Sequence, residues 1–184
     1  MEDGAADPRY ARGMEFWDVV RSRRNVREFS DRPVAEEDLE RMLEAGRLAP
    51  SARNWQPWDF VVVSERERLR ELARVWQGAG HVAGAAVAIA LIAPEPEDDR
   101  WRDLLQYDLG HATMLIMLAA AELGIGTAHA SVLDQELARS VLGHPEDRFC
   151  AYLISAGHPR DGRLAPLKRL NRRPLDEIVH RGRW

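Results

Sequence analysis

Cysteine is nearly missing from this 184-residue chain. Cys150 stands alone, which excludes an intrachain disulfide and fits a reducing compartment, so a cytoplasmic location is expected. It lies in the apolar run Phe149 to Ile154, where a thiol serves packing rather than nucleophilic chemistry. Long hydrophobic runs are missing too. The longest, Ala112 to Ala121, is bounded by Asp108 and Glu122 and has about half the length of a membrane span. Met1 to Gly13 is polar and lacks the apolar core of a signal peptide. There is no excess of positive charge: the net charge is −4, so neither nucleic acid nor a membrane is expected as a partner. The six histidines form no His-Glu-x-x-His and pair with no Cys-x-x-Cys, so no metal site is expected. A G-x-S-x-G elbow and a P-loop lysine are also absent. Gly78-Ala79-Gly80 lacks the third glycine and the preceding strand of a dinucleotide fingerprint.

What is present is ordinary in bulk, with 45% hydrophobic and 30% charged residues, and long enough for one domain. Met1 to Gly13 reads as a frayed tail and 14–184 as a single domain. Phe16, Val19 and Val20 predict a short amphipathic helix over Met14 to Ser22. Leu39, Met42 and Leu43 predict a second after Pro33, with Glu36, Glu37 and Asp38 in its first turn. Asp59 to Val63 reads as a strand, Glu65 to Gln77 as a surface helix, and Ala85 to Ala93 as a strand buried on both faces. The longest helical pattern runs from about Trp101 to Leu123 and closes at Gly124. Apolar residues occur almost all round its second half, which suits a central helix also used between subunits. Strands follow at Gly126 to Leu133 and Phe149 to Ser155, around a helix capped by Asp134 that runs to Leu142. Helices and strands mix without regular alternation, so the expected class is a layered α+β domain.

Two features stand out. Leu48 to Phe60, LAPSARNWQPWDF, has prolines at 50 and 57 that forbid a regular helix, polar Ser51, Asn54 and Gln56 between those prolines, and Trp55 and Trp58 flanking the second. It reads either as a packed helix-to-strand corner or as a wall for a flat ligand, with Trp58 assigned to the core and Trp55 left open. Arg23, Arg24 and Arg27 leave the end of the first helix, and Lys168, Arg169, Arg172 and Arg173 lie near the other end of the chain. Each cluster alone is a solvated basic patch; together they could converge on one phosphate.

In order along the chain, Arg23-Arg24-Asn25-Val26-Arg27, Pro50-Ser51-Ala52-Arg53-Asn54-Trp55-Gln56-Pro57-Trp58, Leu123-Gly124-Ile125-Gly126-Thr127 and Arg172-Arg173-Pro174-Leu175 resemble the FMN-dependent nitroreductase family. The resemblance runs from about Phe16 to Val179, and the block from Pro50 to Trp58 is its most specific part. It implies a three-layer α-β-α fold with a mixed, mainly antiparallel sheet, and a homodimer with FMN at the interface. It also implies that Arg23 and Arg172 hold the phosphate and that Arg24 and Asn25 line the phosphate and ribityl chain. Arg27 would face the pyrimidine edge, where a cation stabilises the negative charge of reduced flavin. Pro50, Ser51 and Asn54 would come from the partner subunit. The segment His129 to Val132 would run beside the redox-active nitrogen, with Ala130, Ser131 and Val132 offering backbone N–H groups. Asn25 stands where the family commonly has serine, and His129, Ser131 and Val132 where an aromatic or proline and then a glycine are frequent.

The expected activity is hydride transfer from NADH or NADPH through FMN to a small acceptor such as a nitroaromatic or quinone, in ping-pong order. The alternatives are a specialised flavin reaction (dehalogenation, ring oxidation or flavin fragmentation) and a non-catalytic flavin-binding dimer. His129 is the candidate proton donor, set against a structural histidine at a strand end. Asp108 and Glu122 read as polar positions at the ends or interface of the long helix, and Arg53 as a surface residue.

Overall fold

A computed structural model describes residues 14–162, 164–169 and 171–184; the expected tail Met1 to Gly13 lies outside them. Four strands, β1 (Asp59–Val63), β2 (Val87–Pro94), β3 (Gly126–Ser131) and β4 (Arg148–Gly157), form one sheet in the order β1-β2-β4-β3. All three ladders are antiparallel. Among the described residues parallel pairing is confined to one bridge, Asn25 with Thr127, at the outer edge of β3. Among the described residues, five α-helices surround the sheet: α1 (Phe16–Ser22), α2 (Glu36–Arg47), α3 (Arg66–Leu72), α4 (Asp99–Glu122) and α5 (Gln135–Leu142).

The alternation of β2 builds the three layers. Val87, Ile89, Leu91 and Ala93 point to one face and pack with Leu39 and Met42 of α2 and Leu105, Leu109, Ile116 and Met117 of α4. Ala88, Ala90 and Ile92 point to the other face and pack with Leu69 and Leu72 of α3 and Ala138 and Val141 of α5. Each large side chain buried in this way contributes about 1.5–3 kcal/mol relative to an exposed position. The expected α-β-α sandwich is therefore held from both faces of the sheet. By length and hydropathy α4 is long and apolar enough to cross a membrane, which its shorter apolar run did not suggest; its apolar stripe is spent on this core. Cys150 is buried, and burial pushes its thiol up to about 12, in keeping with a packing role.

Several boundaries moved for identifiable reasons. The helix expected over Glu65 to Gln77 stops at Leu72 and gives way to a 3-10 run over Gln77–Gly84. The Val75 carbonyl, which a continuing helix would need, instead accepts from Leu133 N (3.2 Å) and Asp134 N (3.0 Å) at the start of α5. That same contact ends β3 at Ser131 rather than Leu133. Helix α4 starts at Asp99, two positions before the expected Trp101, because Asp98 caps it by accepting from Trp101 N at 2.8 Å. The apolar face of α1 is narrower than its spacing implied: Val19 is buried, whereas Phe16 and Trp17 are 64% and 71% exposed and Val20 is exposed as well.

Two glycines shape the surface on which the arginine-rich loop lies. Gly126 and Gly157 are cross-strand partners at one end of the β3–β4 ladder. A Cβ on Gly126 would sit 2.7 Å from Val26 Cβ, and one on Gly157 would sit 2.9 Å from the Phe29 ring. Their missing side chains let the segment after α1 cross the sheet edge closely. The segment is fastened there by Val26 N to Thr127 O (2.9 Å) and Ser30 N to His158 O (2.8 Å).

Candidate functional site

The arginines take their positions from this crossing. Arg23 is the C-cap of α1, and its backbone N–H donates to Val19 O at 2.9 Å. Its guanidinium donates from Nη1 to Asn25 Oδ1 at 3.3 Å. Arg24 turns back instead, donating from Nη1 to Ser22 O (3.3 Å) and Ala165 O (3.5 Å). Arg21 and Leu167 exchange two contacts, Leu167 N to Arg21 O and Arg21 Nη2 to Leu167 O, each 3.2 Å. This tie lays the C-terminal segment along α1 and brings Arg172 to Arg23. Burial first, and then the like charge of Arg172, lower the Arg23 pKa. Arg173 is turned aside by an ion pair with Glu177 at 3.3 Å.

Strand β3 brings in the next group. It is the last strand of the sheet order, and beyond the bridge at Thr127 its outer edge has no strand partner among the described residues. His129 is exposed at this edge, while Ala130 and Val132 turn their side chains into the core. What that segment offers outward is therefore the His129 ring, the half-buried Ser131 and backbone groups. Partial burial lowers the His129 pKa, and Arg23 and then Arg27 lower it further. The segment 23–27, the tail at Arg172 and β3 thus converge on one electropositive place.

His81 belongs to the same cluster, and sequence reasoning missed it. Its Nδ1 lies 2.8 Å from Ser155 Oγ, whose hydroxyl donates to Ala128 O at 3.2 Å. Its pKa is lowered by burial, then by Arg27 and His129, with backbone hydrogen bonding at His129 opposing. The only hint in the sequence was its position in the glycine-rich stretch directly before the buried strand. Among the described residues, no group of three or more His, Cys, Asp or Glu is arranged to hold a metal ion.

The stretch between Pro50 and Pro57 lies apart from the arginines. Its backbone is unusual: Arg53, Asn54 and Gln56 have φ of 52°, 58° and 53°, in the left-handed region that side chains resist. Ser51 Oγ accepts from Gln56 N at 2.8 Å, which leaves the hydroxyl hydrogen to donate elsewhere. Gln56 Nε2 donates to Asn54 O at 3.1 Å. Trp55 meets Trp101 edge-on at 5.6 Å, over a cavity of about 740 Å³ also lined by Arg53, Glu95 and Asp98. Trp58 is in the core as expected. Asp108 is not the peripheral polar position its sequence suggested. It is 2% exposed, and its Oδ2 accepts from Ala52 N at 3.0 Å.

The sequence and the fold both match known proteins. The family model described as Nitroreductase family matches residues 20–79 and 73–158. A protein of Archaeoglobus fulgidus provisionally named NADH dehydrogenase/NAD(P)H nitroreductase is 34% identical over 170 residues, covering 90% of this chain and 97% of the relative. The 5,6-dimethylbenzimidazole synthase of Rhodospirillum rubrum is 30% identical, covering 91% of this chain and 94% of that protein. Among solved structures, an FMN-dependent nitroreductase from Clostridium difficile R20291 superposes with a TM-score of 0.78 at 26% identity, covering 90% of this chain and 98% of the other.

Proposed function

The chain belongs to the nitroreductase family, and on that premise we propose that residues 14–184 act as one FMN-binding domain of an NAD(P)H-dependent oxidoreductase. The observation that carries this reading is the convergence of Arg23, Arg27, Arg172 and His129, from three separate parts of the chain, on one electropositive site.

The donor set fits FMN. Arg23 and Arg172 repel each other until an anion lies between them, which is the arrangement a terminal phosphate requires. Asn25 lies beside Arg23 and serves the phosphate and ribityl chain with Arg24. Arg27, close to both His81 and His129, faces the pyrimidine edge, where its fixed charge favours electron density on the ring. The N–H groups of Ala130, Ser131 and Val132 would be the backbone donors offered to the redox-active nitrogen of bound FMN. Bound FMN would supply the hydride-accepting and hydride-donating chemistry linking NADH or NADPH to a small acceptor such as a nitroaromatic or quinone. Reductant and acceptor share one open pocket in turn, so the order is ping-pong and no separate dinucleotide site is needed. His129, kept neutral by burial and by Arg23 and Arg27, would present its ring N–H at the rim of that pocket.

The functional unit is a homodimer. Phe16 and Trp17 on α1 and Tyr107 and Met114 on α4 are large apolar side chains that stay exposed: Phe16 meets Trp17 edge-on at 5.5 Å and Tyr107 meets His111 at 4.4 Å, yet each leaves much of its surface to solvent. The loop with Pro50, Ser51 and Asn54 makes its hydrogen bonds to itself and to α4, and it serves the flavin of the other subunit. Purification tests the core of this reading. A yellow protein that releases FMN on denaturation and is bleached by NADH or NADPH without oxygen supports it. A colourless protein that takes up no added FMN overturns it.

A second reading, a specialised reaction on the same bound flavin, draws on the similarity to the dimethylbenzimidazole synthase and on His129 and Ser131 at the flavin's edge. A yellow protein that neither NADH nor NADPH bleaches would favour it.

A further inference from the structure

We infer that Asp108 is a positioning residue that holds the Ser51–Asn54 loop in its reactive conformation; this rests on the reading that the loop meets the flavin ring. A carboxyl group 2% exposed on a helix packed with Leu105, Leu109 and Ala112 is unfavourable unless it serves a partner. Its partner is the backbone N–H of Ala52, 3.0 Å from Oδ2, in the middle of the loop. Among the described residues, the three non-glycine positions with positive φ, Arg53, Asn54 and Gln56, all lie just after Ala52. Such conformations persist only where the surroundings fix them.

The other hydrogen bonds of the stretch run within it: Asn54 N to Ser51 O at 3.0 Å, Trp55 N to Ala52 O at 3.0 Å, Gln56 N to Ser51 Oγ at 2.8 Å and Gln56 Nε2 to Asn54 O at 3.1 Å. They give the loop its shape but do not attach it to the body of the protein. The Asp108 contact makes the polar attachment from α4, beside the edge-on packing of Trp55 on Trp101 of the same helix, which also carries exposed Tyr107 and Met114. Subunit contact and loop position are therefore set on one rigid element. Because Asp108 is aimed at the loop and not at the arginine cluster, it governs the ring end of the flavin and leaves the phosphate end alone.

Removing either side of this contact tests the inference. Asp108→Ala deletes the acceptor. Ala52→Pro deletes the donor without touching α4, and Ser51 at φ −143° and ψ 158° already has the backbone that a following proline requires. Each variant, purified full-length and titrated with FMN, should bind it about tenfold more weakly. Each should also shift the flavin absorption bands and reduction potential, and lower kcat more than KM for the reductant. The double variant should add little to either single one. Asp108→Asn, whose amide oxygen can still accept from Ala52 N, should recover most of the loss. Binding of inorganic phosphate, followed by thermal shift, should stay at the wild-type level in all four. The inference is overturned if Ala52→Pro keeps the wild-type spectrum, potential and affinity. It is equally overturned if the two single effects simply add, or if phosphate binding falls in parallel with FMN binding. A wild-type protein that binds no FMN would instead sink the parent reading, and this inference with it.

Discussion

Arg23 and Arg172, from opposite ends of the chain, stand close enough for the charge of one to lower the pKa of the other, and Arg23 is partly buried as well. Two like charges held together in this way are relieved by an anion. Arg23→Ala or Arg172→Ala should therefore raise the dissociation constant for FMN about tenfold to a hundredfold, the range of one charge-assisted contact of about 1.5–3 kcal/mol. Equilibrium dialysis with FMN measures this directly. Inorganic phosphate should raise the melting temperature of the wild-type apoprotein and do so far less when both arginines are replaced. Unchanged affinity in both variants would remove Arg23 and Arg172 from the site.

A backbone prediction follows from the crossing of the arginine loop over the sheet edge. Gly126→Ala places a methyl group 2.7 Å from Val26 Cβ, an atom that cannot swing away as a side-chain tip could. The loop must lift, at an expected cost of about 1–3 kcal/mol in stability. FMN affinity should fall as well, because Arg23 to Arg27 hang from that loop. Gly143→Ala, at the end of α5, is the control: its φ of 73° strains the backbone, but its Cβ meets nothing. It should lose stability without a matching loss of flavin. Denaturant melts alongside FMN titrations separate the two effects.

Much of this could be seen in the residues, because it depended on local pattern. Asp59–Val63 came out as predicted, and Asp134 caps α5 through Leu137 N at 2.9 Å. Gly124 takes the left-handed conformation that ends a helix. What escaped the sequence depends on contacts between distant segments. Nothing near Val75 indicates that its carbonyl will be taken by Leu133 and Asp134. His81 was one histidine among six until folding set it against Ser155 and Arg27. Asp108 reads as a polar position at the end or interface of the long helix, and only its burial and its contact with the 50–57 loop give it a task. The arginine clusters were visible separately, but their meeting depends on the tie between Arg21 and Leu167.

The histidines set a pH dependence. His81, His129 and His158 all have pKa values below the ordinary 6.5, burial being the first cause in each. The unfolded chain therefore takes up protons that the folded chain refuses as pH falls through that ordinary value, and stability is lost on acidification. Above it these groups contribute no slope. Denaturant melts of the apoprotein between about pH 5 and 8 should show stability rising with pH and then levelling. His81→Gln combined with His129→Gln should flatten the lower part of the curve. Phosphate should flatten it too, since an anion offsets the arginine charges that hold the His129 pKa down. A curve with the same slope in the double variant would mean that these imidazoles do not titrate as their surroundings indicate.

Subunit exchange tests whether Asn54 serves the partner's flavin. Take one variant with Arg23→Ala and Arg172→Ala, which spoils the phosphate end, and another with Asn54→Ala, which spoils the ring end. Each homodimer carries two defective sites. If the loop acts across the interface, a mixed dimer has one site with both defects and one with neither. Random mixing should then restore about a quarter of the wild-type sites, since half the dimers are mixed and each has one intact site. If the loop served its own chain, every site in the mixed dimer would keep one defect and mixing would restore nothing. Met114→Glu supplies the control, placing a charge on the exposed face of α4. It should give a monomer by light scattering that binds FMN weakly, and mixing it with the other variants should restore no activity.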